Sequence, residues 1–470
     1  MPIRPPYARA LIAGLALALA APLHAQIDGV QTRQYEDGGI YEGEFRDGLQ
    51  HGMGTYRLPN GFEYTGEWVA GEISGEGVAR YPSGAVYEGS FAAGRPHGTG
   101  KMTFADGSTY EGDWVDGTIS GQGVRVFANE SVFEGEFVDG QPHGAGVLTR
   151  PDGYRYEGDW VAGLRQGTGR ITYPDGAVYE GELQADLRHG RGILTNPDGL
   201  RYEGDWLEGE LHGQGELRQP NGDLYIGGFR AGLRDGEARV EQADGLVFEG
   251  TFVNDMREGE GRLSGPDGYL YEGTWVAGRI EGEGRLVQPD GSEYVGQFRN
   301  GLPDGTGQIT YADGSTYEGE WSEGQFHGQG RAEFADGSVY EGGFVQGLAE
   351  GEGVMTFADG RVYTGQLVGG ELHGQGEMVY PDGSVYVGEF SEGARDGHGR
   401  IEMADGFIYE GEWSGGQITG VGVATYATGD VYEGAFVDGQ RHGRGVLRYA
   451  TGEVLSGDWE DGRMTVRDND

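Results

Sequence analysis

An aromatic residue recurs every 23 residues from Tyr41 to Tyr432, and the series ends at Leu455 after 19 units without an insertion or deletion. Taking this residue as phase 1, glycine occupies phase 3 in all 19 units and phase 12 in 18 of them, and all eight tryptophans occupy phase 5. A strict period of about 20 to 50 residues is typical of repeat arrays, in which each unit packs on its neighbours. The sequence therefore predicts one continuous array instead of several globular domains.

Composition supports this prediction and excludes several classes of function. The 470 residues include 97 glycines and 16 prolines, a content that would indicate disorder if no period existed. There is no cysteine, which excludes disulfides, thiolate catalysis and cysteine-ligated zinc. The formal net charge of −43 argues against binding nucleic acid and against electrostatic attachment to anionic lipid.

Each unit is predicted to contain two strands and two turns. The first strand, such as SVYEGGF ending at Phe344, alternates so that phases 1 and 5 share one face and phases 2 and 4 the other. A loop is expected over phases 7–14, as in DGLQHGMG ending at Gly54, because its three glycines suit positive φ or close backbone approach. A short second strand follows from phase 15, and Asp-Gly or Asn-Gly at phases 20–21 predicts a hairpin turn.

Helix is nearly excluded by the glycine spacing. After the N-terminal region the longest stretch without glycine is residues 124–134, only 11 residues. Each glycine costs about 1 kcal/mol relative to alanine inside a helix. The fold class predicted is therefore all-β.

The repeat resembles the MORN (membrane occupation and recognition nexus) repeat. YEGEFRDGLQHGMG from Tyr41 and YEGEWSEGQFHGQG from Tyr317 match every fixed position, and the resemblance covers about residues 31–463. It implies an elongated, twisted, single-layer antiparallel sheet of successive β-hairpins. The kinase, methyltransferase and membrane-junction segments found beside such repeats elsewhere are not visible here, so no enzyme activity, catalytic residue, metal or cofactor is expected. Six positions depart from the pattern: Leu183, Leu367, Asp186, Asp255, Ala238 and Glu130.

The N-terminal residues read as an export signal. Arg4 and Arg9 precede an apolar run at residues 10–21 that is too short to span a bilayer, and the expected cleavage lies between Ala25 and Gln26. Cleavage after Ala20 and an uncleaved anchor are the alternatives. Residues 1–25 are therefore assigned to the signal, 26–40 to a half repeat, 41–463 to the array and 464–470 to a polar tail. The mature chain is expected in the periplasm or outside the cell, without a transmembrane span.

Eight of the ten histidines share phase 11, which raises the question of a metal row or a pH sensor. Equivalent side chains of consecutive units would lie about 9.5 Å apart, too far to share a zinc ion with bonds of about 2.0–2.1 Å. Ser74, Asp235, Glu258 and Thr419 occupy the same phase, which favours bonding to a turn amide. Calcium loops at the Asp-Gly turns and diffuse cation binding by the Glu ladder are weaker alternatives. The histidines are His51, His97, His143, His189, His212, His327, His373 and His442.

The aromatic rows at phases 1 and 5 are the candidate interaction or packing face. They can stabilise the sheet by packing on one another, or they can form an exposed groove for a partner. Both interpretations stay open from the sequence. The candidate residues are Tyr41, Tyr64, Trp68, Tyr87, Tyr110, Trp114, Tyr156, Trp160, Tyr202, Trp206, Tyr271, Trp275, Tyr317, Trp321, Tyr409 and Trp413.

These features predict a secreted, non-enzymatic scaffold that presents an extended surface. The expected partner is an unidentified protein or further copies of the chain, with the cell envelope as an expected place of action. The alternative is an envelope glycan- or lipid-associated protein whose aromatic rows act as stacking platforms.

Overall fold

The computed structural model describes residues 29–467, in which the backbone forms 39 β-strands and no helix. The predicted signal at residues 1–25 lies outside the described residues, together with residues 26–28 and 468–470. The prediction of an all-β chain of successive antiparallel hairpins is confirmed. The chain forms two compact units, the first ending at Arg188 and the second beginning at His189.

In the first unit, strands of seven and nine residues alternate after a shorter opening strand. The strands are β1 (Gly29–Gln34), β2 (Ile40–Arg46), β3 (Leu49–Arg57), β4 (Glu63–Val69), β5 (Glu72–Arg80), β6 (Val86–Ala92), β7 (Arg95–Thr103), β8 (Thr109–Val115), β9 (Thr118–Val126), β10 (Val132–Val138), β11 (Gln141–Thr149), β12 (Arg155–Val161), β13 (Leu164–Thr172) and β14 (Val178–Gln184).

The second unit repeats the same alternation, and most of β15 belongs to it. Its strands are β15 (Leu187–Thr195), β16 (Arg201–Leu207), β17 (Glu210–Arg218), β18 (Leu224–Arg230), β19 (Leu233–Glu241), β20 (Val247–Val253), β21 (Met256–Ser264), β22 (Leu270–Val276), β23 (Arg279–Val287), β24 (Glu293–Arg299), β25 (Leu302–Thr310), β26 (Thr316–Ser322), β27 (Gln325–Glu333), β28 (Val339–Val345), β29 (Leu348–Thr356), β30 (Val362–Val368), β31 (Glu371–Val379), β32 (Val385–Ser391), β33 (Ala394–Glu402), β34 (Ile408–Ser414), β35 (Gln417–Thr425), β36 (Val431–Val437), β37 (Gln440–Arg448), β38 (Val454–Glu460) and β39 (Arg463–Arg467).

Two different turns join the strands. At phases 7–8, Asp47 and Gly48 have φ of 54° and 84°, as in the type I′ turn that suits a two-residue hairpin. At phases 18–21, the Gly61 N–H donates to the Leu58 carbonyl at 3.0 Å, and Gly61 has a φ of 93°. The turn predicted at the Asp-Gly or Asn-Gly pair is therefore present.

The loop predicted over phases 7–14 is wrong, because only phases 7 and 8 lie outside the strands. β3 already begins at Leu49, and a bulge opposite Gly43 and Phe45 shifts the register. Gly52 at phase 12 has a φ of 63°, which bends the strand at this bulge. Gly54 at phase 14 is an ordinary strand residue paired with Gly43 on one side and Gly66 on the other.

Neighbouring hairpins are also joined through their type I′ turns. In the first unit the Gly71 N–H donates to the Gln50 carbonyl of the preceding hairpin at 2.9 Å. In the second unit the Gly324 N–H donates to the Pro303 carbonyl at 2.8 Å. Each hairpin tip is therefore held by its predecessor, as expected where repeats couple to their nearest neighbours.

The core lies on one face of the sheet. Residues of β2 alternate between exposed and buried, with Tyr41 and Phe45 buried and Glu42 exposed. This alternation follows from the period of two along a strand. The phases 1 and 5 assigned to one face by the sequence do share it.

Part of the predicted polar tail belongs to the sheet. Residues 464–467 lie in β39, where Met464 pairs with Trp459 and Val466 with Asp458. The alternating apolar residues Met464 and Val466 fit a strand better than a solvated tail. Across residues 29–467, no helix is present that has the length and apolar character to cross a membrane.

Candidate functional site

The sixteen aromatic residues predicted as an interaction or packing face are all buried. Each has a relative exposure of 6% or less. Side chains with so little accessible surface have no area left for a partner, so the geometry makes this face the packing core of the sheet. The two Leu departures at this face, Leu183 and Leu367, are equally buried at 2%.

The buried rings form a ladder that crosses from hairpin to hairpin. The ring of Tyr87 lies 5.0 Å from Phe91 of its own strand and 5.1 Å from Trp114 of the following hairpin. In the second unit, Tyr294 lies 5.0 Å from both Phe298 and Trp321. These ring planes are close to perpendicular, the edge-to-face arrangement that aromatic pairs favour. We call this set of phase 1 and phase 5 residues the aromatic ladder.

The glycines at phases 3 and 14 create the space for the ladder. The ring of Tyr317 lies over Gly319 and Gly330, and a Cβ atom on either glycine would collide with it. The Tyr317 hydroxyl donates to the Glu320 carbonyl at 2.7 Å. Burial raises the pKa of Tyr317 to about 12, so the phenol is neutral at physiological pH. We call the phase 3 and phase 14 residues the glycine row.

Tryptophans of the ladder are anchored to the glycine row. The indole Nε1 of Trp114 donates to the Gly100 carbonyl of the preceding hairpin at 3.1 Å. Trp275 differs, because its buried Nε1 has no acceptor among the described residues. The repeat around Trp275 is therefore locally different from the others.

Phase 11 contributes to the turns. His97 Nδ1 accepts a hydrogen bond from the Asp116 N–H, in the turn of the following hairpin, at 3.4 Å. Glu258 and Glu350 accept the equivalent turn amide, from Ala277 and Gly369, at 2.8 and 2.9 Å. This geometry supports the turn-amide interpretation of the phase. Within residues 29–467, no group of three or more His, Asp or Glu side chains could hold a metal ion.

Several acidic side chains bond to the backbone. Asp113 at phase 4 accepts the Gln122 N–H beside the bulge at 2.8 Å, and Asp205 accepts the Gln214 N–H at 3.0 Å. At the other turn, Asp382 accepts the Ser384 N–H at 2.8 Å. These carboxylates therefore satisfy backbone donors within their own repeat.

The exposed face carries acid–base pairs between strands. Arg331 Nε lies 3.0 Å from Glu341 Oε1, and Arg285 Nε lies 2.7 Å from Glu293 Oε1. Their side chains are 40–62% exposed, so each pair contributes at most about 1 kcal/mol. In the whole sequence 77 acidic residues stand against 34 basic ones, so the chain carries a large excess of negative charge.

The same face also presents apolar residues that the sequence interpretation missed. They occupy phases 6 and 9 on either side of the type I′ turn, and their exposure lies between 40 and 55%. Their signal was the recurrence of Val, Leu or Met next to the two tip residues at phases 7 and 8 in many of the repeats. We call these residues the apolar stripe. Its members are Leu49, Val69, Val115, Val138, Val161, Leu164 and Leu187 in the first unit, and Leu207, Leu233, Val253, Met256, Val276, Leu302, Val345, Leu348, Val368 and Val437 in the second.

A second set of aromatic residues lies at phase 18, beside the turn opposite the hairpin tips. These rings are only partly buried, and Tyr311 and Phe334 are 38% and 45% exposed. Between residues 196 and 288 the phase holds Asn, Gln or Gly instead. We call the aromatic members the aromatic edge. They are Tyr81, Phe104, Phe127 and Tyr173 in the first unit, and Tyr311, Phe334, Phe357, Tyr380, Tyr426 and Tyr449 in the second.

Comparison with known families agrees with this geometry. The MORN repeat model matches 18 consecutive segments, from residues 41–62 and 64–86 through to 409–431 and 432–454, well over half of the chain. The chain therefore belongs to the MORN-repeat family. Its repeats form a hairpin scaffold of the kind described above. No curated protein matches the sequence.

Among solved structures, the chain is similar to the TCP domain of Drosophila melanogaster SAS-4 in complex with a proline-rich motif of Ana2. The identity is 18% over 38% of this chain and 90% of that one, with a TM-score of 0.22. It is also similar to the TCP10 domain of Danio rerio CPAP in complex with a STIL peptide, at 15% identity over 62% and 98%, with a TM-score of 0.19. At such TM-scores neither likeness bears on the fold or function of this chain.

Proposed function

We propose that this chain is an exported, non-enzymatic scaffold that presents its apolar stripe to a protein partner. The observation that carries the proposal is the exposure of 40–55% at phases 6 and 9, repeated through both units. Contiguous exposed apolar surface is characteristic of interaction sites. The aromatic ladder is buried and forms the core of the sheet. The exposed apolar stripe, and not the ladder, is therefore the candidate interface.

The charge of the surface defines the kind of partner. Val115 and Val138 of the stripe are each followed by an exposed aspartate in the turn, Asp116 and Asp139. With a net charge of −43, two copies of the chain repel each other, which disfavours self-association. A protein with exposed apolar side chains among Lys and Arg residues would be complementary to both features.

Export is the part of the proposal that rests on sequence alone. Residues 1–25 support a secreted bacterial type of MORN-repeat protein that acts in the periplasm or outside the cell, at the envelope. N-terminal sequencing of the chain purified from its native cells is expected to begin at Gln26. A chain recovered from the cytoplasm with residues 1–25 intact would refute export.

The role of the stripe can be tested by replacing its residues with the polar residues that occupy the same phases in another hairpin of this chain. In the hairpin before Val345 and Leu348, the same phases hold Ser322 and Gln325. A variant with Val345→Ser, Leu348→Gln, Val253→Ser, Met256→Gln, Val161→Ser and Leu164→Gln removes three stripe pairs without disturbing the ladder. Ser322→Val with Gln325→Leu, which extends the stripe, is the matched control.

The binding assay is a pulldown from envelope protein extract at low and high salt. We expect a cationic protein that is captured by the parent and the control, lost with the six-residue variant and weakened by salt. Hydrogen exchange should be unchanged away from the substituted positions. Equal capture by the parent and the six-residue variant would refute the proposal.

A second candidate function is glycan binding by the aromatic edge, because Tyr311 and Phe334 offer partly exposed rings. The buried ladder cannot stack on a sugar ring. A pulldown with purified cell wall, using Tyr311→Ser with Phe334→Ser, separates this candidate from the first. Cell-wall binding that these substitutions abolish would favour the glycan; binding only from protein extract would favour the stripe.

A further inference from the structure

The second unit contains a cavity of about 290 Å³ in the stretch where the aromatic edge is interrupted. Its lining includes Gln219 and Gln242 from phase 18, Tyr225 and Phe252 from the ladder, and two arginines, Arg234 and Arg257. We call this space the polar cavity.

The sequence explains why the space exists here. Phase 18 carries Phe334, Phe357 or Tyr380 in later repeats, but Gln219 and Gln242 in these two. A glutamine side chain is smaller than an aromatic ring, so part of the volume beside the ladder is left open. The polar cavity therefore lies where two consecutive repeats have glutamine in place of the aromatic ring.

The side chains of its two arginines differ in their hydrogen bonds and ion pairs. Arg234 is paired, with Nε 2.9 Å from Asp255 Oδ1. The side chain of Arg257 makes no hydrogen bond or ion pair with any described residue, although its backbone carbonyl accepts from the Gly278 N–H at 2.9 Å. Its guanidinium lies 4.5 Å above the ring of Phe248 and 4.8 Å above that of Trp275. Burial and the charge of Arg234 lower the pKa of Arg257, so its surroundings leave the positive charge uncompensated.

Arginines at the same phase elsewhere do find acceptors. Arg395 donates from Nη2 to the Gly416 carbonyl at 2.8 Å, and Arg441 donates to the Gly462 carbonyl at 2.8 Å. Arg257 lacks the equivalent bond to Gly278, although Gly278 lines the same cavity. Its donors are therefore available to a ligand, in a chain where acids outnumber bases more than twofold.

The acids of the cavity are already bonded. Asp255 accepts from Arg234, and Asp223 accepts from the Ala243 N–H and from Asn221 Nδ2, both at 2.9 Å. Neither carboxylate is bonded to the guanidinium of Arg257. A planar guanidinium with several free N–H donors can bind two oxygens of a carboxylate or phosphate at once.

We propose that the polar cavity binds a small oxyanion, a phosphate monoester or a carboxylate, through the guanidinium of Arg257, with Gln219 and Gln242 as neutral donors at its rim. Met256 lines the cavity and also belongs to the apolar stripe, but the proposed anion donors Arg257, Gln219 and Gln242 do not. Titration with phosphate or acetate therefore tests this proposal independently of capture by the stripe.

The test is calorimetric titration of the full mature chain with inorganic phosphate and, in a separate arm, with acetate. We expect at least one anion to bind with a dissociation constant of roughly 10 mM or tighter. Arg257→Gln should weaken that binding by about tenfold or more, because it removes the charged donor. Tighter binding in one arm identifies the class of oxyanion.

Two further variants make the result specific. Gln242→Phe restores the ring found at phase 18 in other repeats and should abolish binding by filling the cavity, while Arg257 remains. Arg395→Gln, the matched arginine outside the cavity, should leave binding unchanged. Absence of binding in both arms, unchanged binding in Arg257→Gln, or an equal loss in Arg395→Gln would overturn the proposal. Hydrogen exchange over residues 224–278 checks that each variant is folded.

Discussion

The indole Nε1 of Trp321 donates a hydrogen bond to the carbonyl of Gly307 in the preceding hairpin at 3.0 Å. The same indole ring lies 5.0 Å from the ring of Tyr294, which is in the same preceding hairpin as Gly307. It lies 5.3 Å from the ring of Tyr317 on its own strand. One side chain thus joins the aromatic ladder to the glycine row across a hairpin boundary. Cohesion between repeats depends on such contacts, in addition to the strand pairing.

The first prediction concerns Trp321. Trp321→Ala is expected to cost about 3–5 kcal/mol of local stability, because it leaves a cavity in the ladder and removes contacts to two hairpins. Since repeats couple mainly to their neighbours, the loss should stay near residues 294–344. Hydrogen exchange measured by mass spectrometry would detect it. An even loss of protection over the whole chain would contradict the array model.

Trp321→Phe is the control for this experiment. Phenylalanine occupies phase 5 in other repeats, such as Phe298 and Phe344, where it is buried to the same degree. The substitution keeps most of the ring contacts and removes the hydrogen bond to Gly307, so we expect a cost of only about 1 kcal/mol. If Phe and Ala were equally damaging, ring packing would not be the main contribution.

The second prediction concerns the glycine row. Gly330→Ala should destabilise its hairpin by about 1–3 kcal/mol, because the added Cβ would collide with the ring of Tyr317. Gln329→Ala, at the neighbouring exposed position, should change little. Local hydrogen exchange compares the two. A neutral Gly330→Ala would mean that the tyrosine ring has room to move.

The third prediction concerns alkaline pH. Burial raises the pKa of Tyr41, Tyr110 and Tyr317 from 10.0 to about 12. In the unfolded chain these phenols would lose their protons near pH 10, so the folded state binds more protons between pH 10 and 12. Stability is therefore fully present below pH 10 and falls as the pH rises towards 12.

Absorbance at 295 nm follows the ionisation of the tyrosines to phenolate, and circular dichroism follows the loss of β-structure over the same pH range. The ladder phenols should ionise together with the loss of β-structure, above the pH at which exposed tyrosines titrate. Complete ionisation near pH 10 with an unchanged spectrum would show that the ladder is accessible to solvent.

Much of this fold follows from the period alone. Phases 1 and 5 were placed on one face because side chains alternate along a strand, and Tyr41 and Phe45 do lie there. The strand limits were not predicted correctly because glycine has two uses in the repeat. Gly52 provides a positive φ at a bulge, whereas Gly54 is an extended residue that makes room for the Tyr41 ring. A sequence pattern does not distinguish these uses.

The candidate sites were harder to predict for a related reason. An aromatic row is equally consistent with a core and with a groove, and only the burial of residues such as Trp114 and Tyr110 separates the two. The proposed anion site in the polar cavity depends on two features that are missing beside Arg257. One is an aromatic ring at phase 18, and the other is a hydrogen-bond acceptor for the guanidinium. Such an absence becomes visible only when neighbouring hairpins are placed together.

The last prediction concerns Asp255, which stands where most repeats have glycine. It adopts a φ of 69°, and its carboxylate accepts hydrogen bonds from the N–H and Nε of Arg234 at 3.0 and 2.9 Å. Asp255→Gly removes this pair but relieves the left-handed backbone, and Arg234 keeps its 3.0 Å bond to the carbonyl at this position. We therefore expect a change of less than about 1 kcal/mol.

Asp255→Ala separates the two contributions, because alanine loses the ion pair while the backbone strain remains. It should cost about 1–2 kcal/mol more than the glycine variant. Asp186 offers an independent repeat of the experiment in the first unit, with a φ of 71° and Arg165 Nε at 2.8 Å from its carboxylate. Hydrogen exchange of the two hairpin tips gives the local stabilities. If Gly and Ala variants were equally destabilised at both positions, the carboxylate contacts and not the backbone would explain why aspartate is found there.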